Sequence, residues 1–138
     1  MRSIIEDKVS AYLATNITDT SVVKGITDSL RSLPTVVVYS TNAMPPGELG
    51  ATPLGNYNVS LDIYVYSSAD DDTLASHRER VAKVHGLMAD LTALKALWQP
   101  EDGKLYAAWI ESDEEGMQSR NFGNKVCYTL IACLPPAP

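Results

Sequence analysis

The stretch Asn56 to Tyr66, N-Y-N-V-S-L-D-I-Y-V-Y, constrains the fold more than any other part of the chain. Val59, Leu61, Ile63 and Val65 alternate with Asn58, Ser60, Asp62 and Tyr64, the period-2 pattern of a strand with one buried face. A Pro/Gly-rich loop leads into this strand and an acidic helix start leaves it. The remaining elements are expected to assemble around it.

Upstream, residues 2–15 predict a helix, with Ser3 as N-cap, Glu6 completing a capping box, and Ile5, Val9, Tyr12 and Leu13 on one side. Val22 and Val23 make a very short strand ended by Lys24-Gly25. Ile26 to Leu33 is a helical turn or an irregular connection. Thr35 to Ser40, β-branched after Pro34, is a strand with proline at the end where a strand tolerates it. Residues 42–55, N-A-M-P-P-G-E-L-G-A-T-P-L-G, hold three prolines and three glycines and cannot continue a ladder. So long a connection is usually functional or mobile. Its apolar Met44, Leu49 and Leu54, together with Pro45, Pro46 and Glu48, suit a partner-binding arm.

Downstream, Ser67 to Asp72 is read as a helix start, a serine cap followed by three carboxylates that the helix dipole favours. The helix is expected from about Asp71 to Leu97, with a break near Asp90 to Thr92 and a stripe of Leu74, Val81, Val84, Leu87, Met88, Leu91 and Leu94. Trp98-Gln99-Pro100 ends it, and Glu101 to Lys104 forms a turn with positive φ at Gly103. Leu105 to Ile110 is a strand whose alanines, between Tyr106 and Trp109, are expected under the long helix. Residues 111–120 read as a second polar connection, acidic at Asp113, Glu114 and Glu115. Asn121 to Leu134 is a strand interior to the sheet, stopped by a Pro-rich tail. The order α-β-β-β-α-β-β predicts an α+β fold: a mixed, mainly antiparallel sheet with two helices packed on it.

At 138 residues the chain suits one domain, long enough to hold a core without disulfides or metal. A net charge of −6 argues against a nucleic-acid-binding face, since that affinity comes from Lys and Arg on phosphates. Cys127 and Cys133, six apart in an extended run, would lie about 20 Å apart and cannot bridge. They are expected to be buried, reduced thiols, as suits synthesis in cytoplasm. The N-terminus shows no signal h-region, and no apolar run reaches the ~20 residues of a membrane span.

No G-x-G-x-x-G, Walker loop, G-x-S-x-G, H-E-x-x-H or C-x-x-C occurs. Ser21-Val22-Val23-Lys24 fits S-x-x-K, but the companion motifs of that chemistry are missing. His77 and His85, about 12 Å apart along a helix, are too far apart to share a metal and are expected at the surface or its boundary. The acids at Asp70 to Asp72 and Asp113 to Glu115 lie in polar segments, where nothing shifts a carboxyl toward acid/base work. The expectation is a protein that works by contact: not an enzyme, with no catalytic residue, cofactor or metal.

Taken together, the N-terminal helix, L-P-T-V-V-V-Y-S at Leu33 to Ser40, G-N-Y-N-V-S-L-D-I-Y-V-Y at Gly55 to Tyr66, S-S-A-D-D-D-T-L-A-S-H-R-E-R-V at Ser67 to Val81, and the closing strand with its Pro-rich tail resemble the phage tail-terminator (tail-completion) family. The resemblance covers nearly the full length, so 1–138 is expected to be one such domain with long loops at 42–55 and 111–120. It implies a homo-oligomeric ring in the virion neck, most simply a hexamer, assembled in the host cytoplasm. Such a ring caps the tail tube, stops its polymerisation and docks to the head-side connector or stopper, while DNA passes the channel without specific binding. On that reading Met44, Pro45, Pro46, Glu48, Leu49 and Leu54 meet a partner, and Asp113, Glu114 and Glu115 face the lumen. The alternatives are another neck component, a head-completion or stopper protein, or a small-molecule-binding α+β domain.

Overall fold

The structure is a computed structural model, and it describes residues 2–25, 34–44, 56–118 and 120–133. The chain begins with α1 (Arg2–Asn16) and a four-residue strand, β1 (Ser21–Lys24). Gly25 turns the chain out of β1 at φ 79°, a left-handed conformation that suits glycine. Then come β2 (Thr35–Met44), β3 (Asn56–Ser68), α2 (Leu74–Ala89), α3 (Leu91–Ala96), a short 3-10 turn (Pro100–Asp102), β4 (Lys104–Gln118) and β5 (Asn121–Cys133). The fold is α+β, as the patterning predicts.

The five strands form one sheet in the order β1-β2-β3-β5-β4. β1 runs parallel to β2, and every other neighbouring pair is antiparallel. β3 is the central strand, flanked by β2 and β5. Its alternation holds: Val59, Leu61, Ile63 and Val65 are fully buried, in one cluster with Ile5, Val9 and Leu13 of α1 and Val81, Val84 and Met88 of α2. Burying each such aliphatic side chain contributes about 1.5–3 kcal/mol relative to exposure. All of this core lies on one side of the sheet. On the other side stand Tyr64, Tyr66, Lys125, Cys127, Thr129 and Trp109, with no helix packed over them among the described residues.

Several sequence expectations shift. Ser3 lies inside α1 rather than at its cap, and Glu6 instead accepts the backbone N–H of Ser40 at 2.7 Å. That N–H points to the β1 side of β2 just past Val38, the last residue that β1 pairs with. β2 also runs four residues further than expected, so Met44 closes a strand opposite Asn58. The rest of the proposed arm, Pro45, Pro46, Glu48, Leu49 and Leu54, lies outside the described residues, as does Ile26 to Leu33.

The long helix starts later than expected. β3 continues through Ser68, the acidic residues fall in the turn after it, and Thr73 is the N-cap, accepting the Ser76 N–H at 3.0 Å. The expected break is present: Asp90 ends α2 and caps α3, its carboxylate accepting the Ala93 N–H at 3.1 Å. Gly103 has φ 93°, as its turn requires.

The segment 111–120 is not a loop. β4 continues to Gln118 in register with β5, so Asp113, Glu114 and Glu115 are strand residues opposite Val126, Lys125 and Asn124. Of the two alanines expected under the long helix, Ala108 packs against the core from the helix side and Ala107 faces the other way, while Tyr106 and Trp109 are 44% and 43% exposed on an edge strand. The cysteines are free and half-buried on the side of β5 away from the core, because the buried positions are Asn124, Val126, Tyr128, Leu130 and Ala132.

Candidate interaction surface

Strand alternation divides the acidic trio of β4. Asp113 and Glu115, sharing a face with Val126 and Asn124, point toward α2, while Glu114 shares the opposite face with Lys125. Arg78 of α2 meets Glu115 in a two-pronged ion pair, Nε to Oε1 at 2.9 Å and Nη2 to Oε2 at 2.8 Å. One α-helical face carries His85 seven residues on, and its Nε2 lies 3.2 Å from the second carboxylate oxygen of Asp113. The hydrogen bond from Arg78 holds the Glu115 carboxyl below the usual carboxylate range. A groove of about 340 Å³ runs between α2 and β4, with these four side chains on its walls and Val81, Ala82 and Asn124 completing it.

Behind the groove lies a buried polar chain. His77, on α2 and 0% exposed, sits between Ser67 of β3 and Asn124 of β5. Asn124 donates its amide Nδ2 to the first Asp113 oxygen at 2.8 Å, which turns its Oδ1 toward His77 Nε2 at 2.6 Å. An amide oxygen only accepts, so Nε2 carries the ring proton and Nδ1 is left to accept the Ser67 hydroxyl at 2.8 Å. Ser67 in turn accepts from Arg80 Nη1 at 2.7 Å, and Arg80 Nε donates to Thr20 at 3.0 Å. Donors and acceptors therefore run one way, from Arg80 through Ser67, His77 and Asn124 to Asp113. His77 is a core histidine, against the surface expectation, because a buried polar ring is tolerated when both nitrogens are paired. The Ser67–His77 pair has no route to a substrate, being sealed at 0% exposure on both members.

On the bare side of the sheet, Tyr64 and Tyr66 stack with centroids 6.0 Å apart, and the Tyr66 ring packs beside Gly123, where an added Cβ would meet it in ordinary contact at 3.4 Å. Asp62, buried on this side, has Lys125 Nζ at 3.8 Å. Burial raises the Cys127 thiol above its ordinary value, with Asp62 adding to the effect. Lys24, the lysine of the S-x-x-K match, is ion-paired with Asp7 of α1. Among the described residues no group of three or more His, Cys, Asp or Glu is placed to hold a metal ion, and no helix is long and apolar enough to cross a membrane.

No protein-family model matches the chain, and no curated protein matches it. Its fold, however, is similar to that of a chain in the virion of a native gene transfer agent (GTA) particle. The two share 10% identity at a TM-score of 0.54, over 91% of this chain and 84% of that one. A second solved structure, whose description gives no function, is similar at 14% identity and a TM-score of 0.52, over 98% of this chain and 94% of the other. At such identities the likeness is one of fold. It extends across nearly the whole of each chain, so the sheet and its helices are shared as a unit.

Proposed function

We propose that this chain is a structural component of a phage-type virion that closes the tail tube. The observation that carries the reading is the likeness, over 91% of the chain, to a chain of a gene transfer agent virion. The resemblance of its element order to tail terminators points the same way. In this reading several copies, most simply six, form a ring in the neck. One axial face of that ring stops the growth of the tail tube, and the other receives the head-side connector or stopper. The work is done by contact rather than by catalysis, in keeping with a groove in which Arg78 and Glu115 are already paired with each other.

The segment 45–55 remains the proposed partner contact, starting where Met44 ends its strand. The proposed lumen role narrows from three residues to one. Asp113 and Glu115 are engaged by α2, which leaves Glu114 on the bare face to repel the DNA backbone in the channel.

The test is polymerisation of the purified tail-tube protein of the same phage or particle with and without this chain, read by tube length in electron micrographs. Capping predicts that tubes stop growing and carry extra density at one end. Tubes of unchanged length overturn it, and binding to connector rings but not to tube ends would make the chain another neck protein.

A further inference from the structure

β4 is an edge strand written like an interior one. Exposed large apolar side chains project from both of its faces: Ile110, 47% exposed, on the helix side, and Trp109 and Tyr106 on the bare side. A long apolar edge of this kind is a template for another strand unless something covers it.

The facing pattern of the strand says which strand fits. β4 shifts register at two places, leaving Tyr106 and Glu111 as extra residues. Around Tyr106, Lys104 and Ala107 face the bare side and Leu105 the helix side. Around Glu111, Ser112 and Glu114 face the bare side and Asp113 the helix side. Tyr106 stays on the bare side, beneath Lys104 Nζ at 5.5 Å, and Glu111 does too, accepting Trp109 Nε1 and, at 3.0 Å, the Thr129 hydroxyl. Read outward from Trp109 in either direction, the sequence of faces is the same, bulges included. Tyr106-Ala107 maps onto Glu111-Ser112, Ala108 onto Ile110, and Lys104 onto Glu114.

We infer that two copies of this chain pair antiparallel through β4 about a two-fold axis at Trp109, joining their sheets into one of ten strands. Each mapped pair then lies on a common face of the joined sheet, as cross-strand pairs must. Lys104 of each copy comes opposite Glu114 of its partner, giving two opposite-charge pairs by symmetry. Glu115 is already paired with Arg78, and Asp113 accepts the Asn124 amide. The two indoles meet at the centre, and Ile110 of each copy lies over Ala108 of the other, where a small residue leaves room. The pairing belongs to the free chain and does not rest on the capping reading.

The mass of the purified chain, followed by light scattering across concentration, tests this first. It should rise from 15.0 kDa to twice that value. Lys104→Glu and Glu114→Lys should each shift the midpoint at least tenfold toward higher concentration, and the two together should restore it. In a Cys127→Ser, Cys133→Ser background, Trp109→Cys should give a disulfide-linked dimer on mild oxidation, because directly opposed strand residues lie within disulfide range. Val23→Cys, on the other edge strand, should not. A monomer at every concentration, charge variants that dimerise as well as the parent, or linkage through Val23 as readily as through position 109 would each overturn the pairing. A ring-sized species without linkage at position 109 would overturn it while leaving the capping reading intact.

Discussion

His77 shows how much one side chain can hold together. It joins α2 to β3 through Ser67 and to β5 through Asn124, and Asn124 passes the connection to Asp113 on β4. Removing the ring leaves the Ser67 hydroxyl proton without an acceptor and the buried Asn124 amide oxygen without its donor, and unmade buried hydrogen bonds cost more than made ones contribute. His77→Ala is therefore expected to lower the unfolding free energy by about 3 kcal/mol, measured by urea denaturation. Arg78→Ala, one residue on but at the surface, should cost far less. Arg120 is the opposite case. It turns the chain between β4 and β5 at φ 62°, which strains any side chain with a Cβ. Arg120→Gly should raise stability by about 0.5–1 kcal/mol in the same assay. Neither effect is legible in the sequence. The partners of His77 lie ten and 47 residues away, and spacing from His85 speaks to metal sharing but not to burial.

Among the elements, those whose pattern reflects their own burial were legible, and those shaped by a partner were not. β3 alternates because one of its faces is core, and the α2–α3 break could be placed because Asp90 is a good cap. Asp90→Ala should cost about 1 kcal/mol, with helical circular dichroism reporting the fraying of α3. The second half of β4 reads as a loop because Glu-Ser-Asp-Glu-Glu-Gly has low strand propensity. It is a strand because Arg78 and His85 reach across from α2 to meet its acids and β5 pairs it throughout. The acidic turn at Asp70 to Asp72 misled for the same reason, since β3 runs on through Ser68 and Thr73 supplies the cap. The acids of β4 stand out in the sequence as a set, but their division between two faces does not. That division follows from strand phase, which is fixed only once the neighbour is known.

For the molecule as a whole, two ion pairs fasten distant parts. Lys8 Nζ holds Asp102 at 2.8 Å and the Leu97 carbonyl at 3.1 Å, tying α1 to the chain after α3, and Arg78 with Glu115 ties α2 to β4. The hydrogen bond from Lys8 lowers the Asp102 carboxyl, as Arg78 lowers that of Glu115. A carboxyl lowered by folding takes up its proton more readily in the unfolded chain, so its contribution is complete above the ordinary carboxylate range and is lost as pH falls from there through its lowered folded value. Thermal midpoints should therefore drop on acidification, and Asp102→Asn with Glu115→Gln should flatten that acid limb while lowering stability at neutral pH. The sheet order carries a last consequence, for synthesis. β5 lies between β3 and β4 and follows both in the chain, with Asn56 paired to Cys133 across the whole of α2, α3 and β4. Until β5 has left the ribosome, β3 lacks its second neighbour and β4 lacks the strand it pairs with in the finished sheet. Contacts so distant in sequence form slowly. The nascent chain thus has to be kept from other chains until β5 arrives, and only a chain that includes β5 can join β4 to the rest of the sheet.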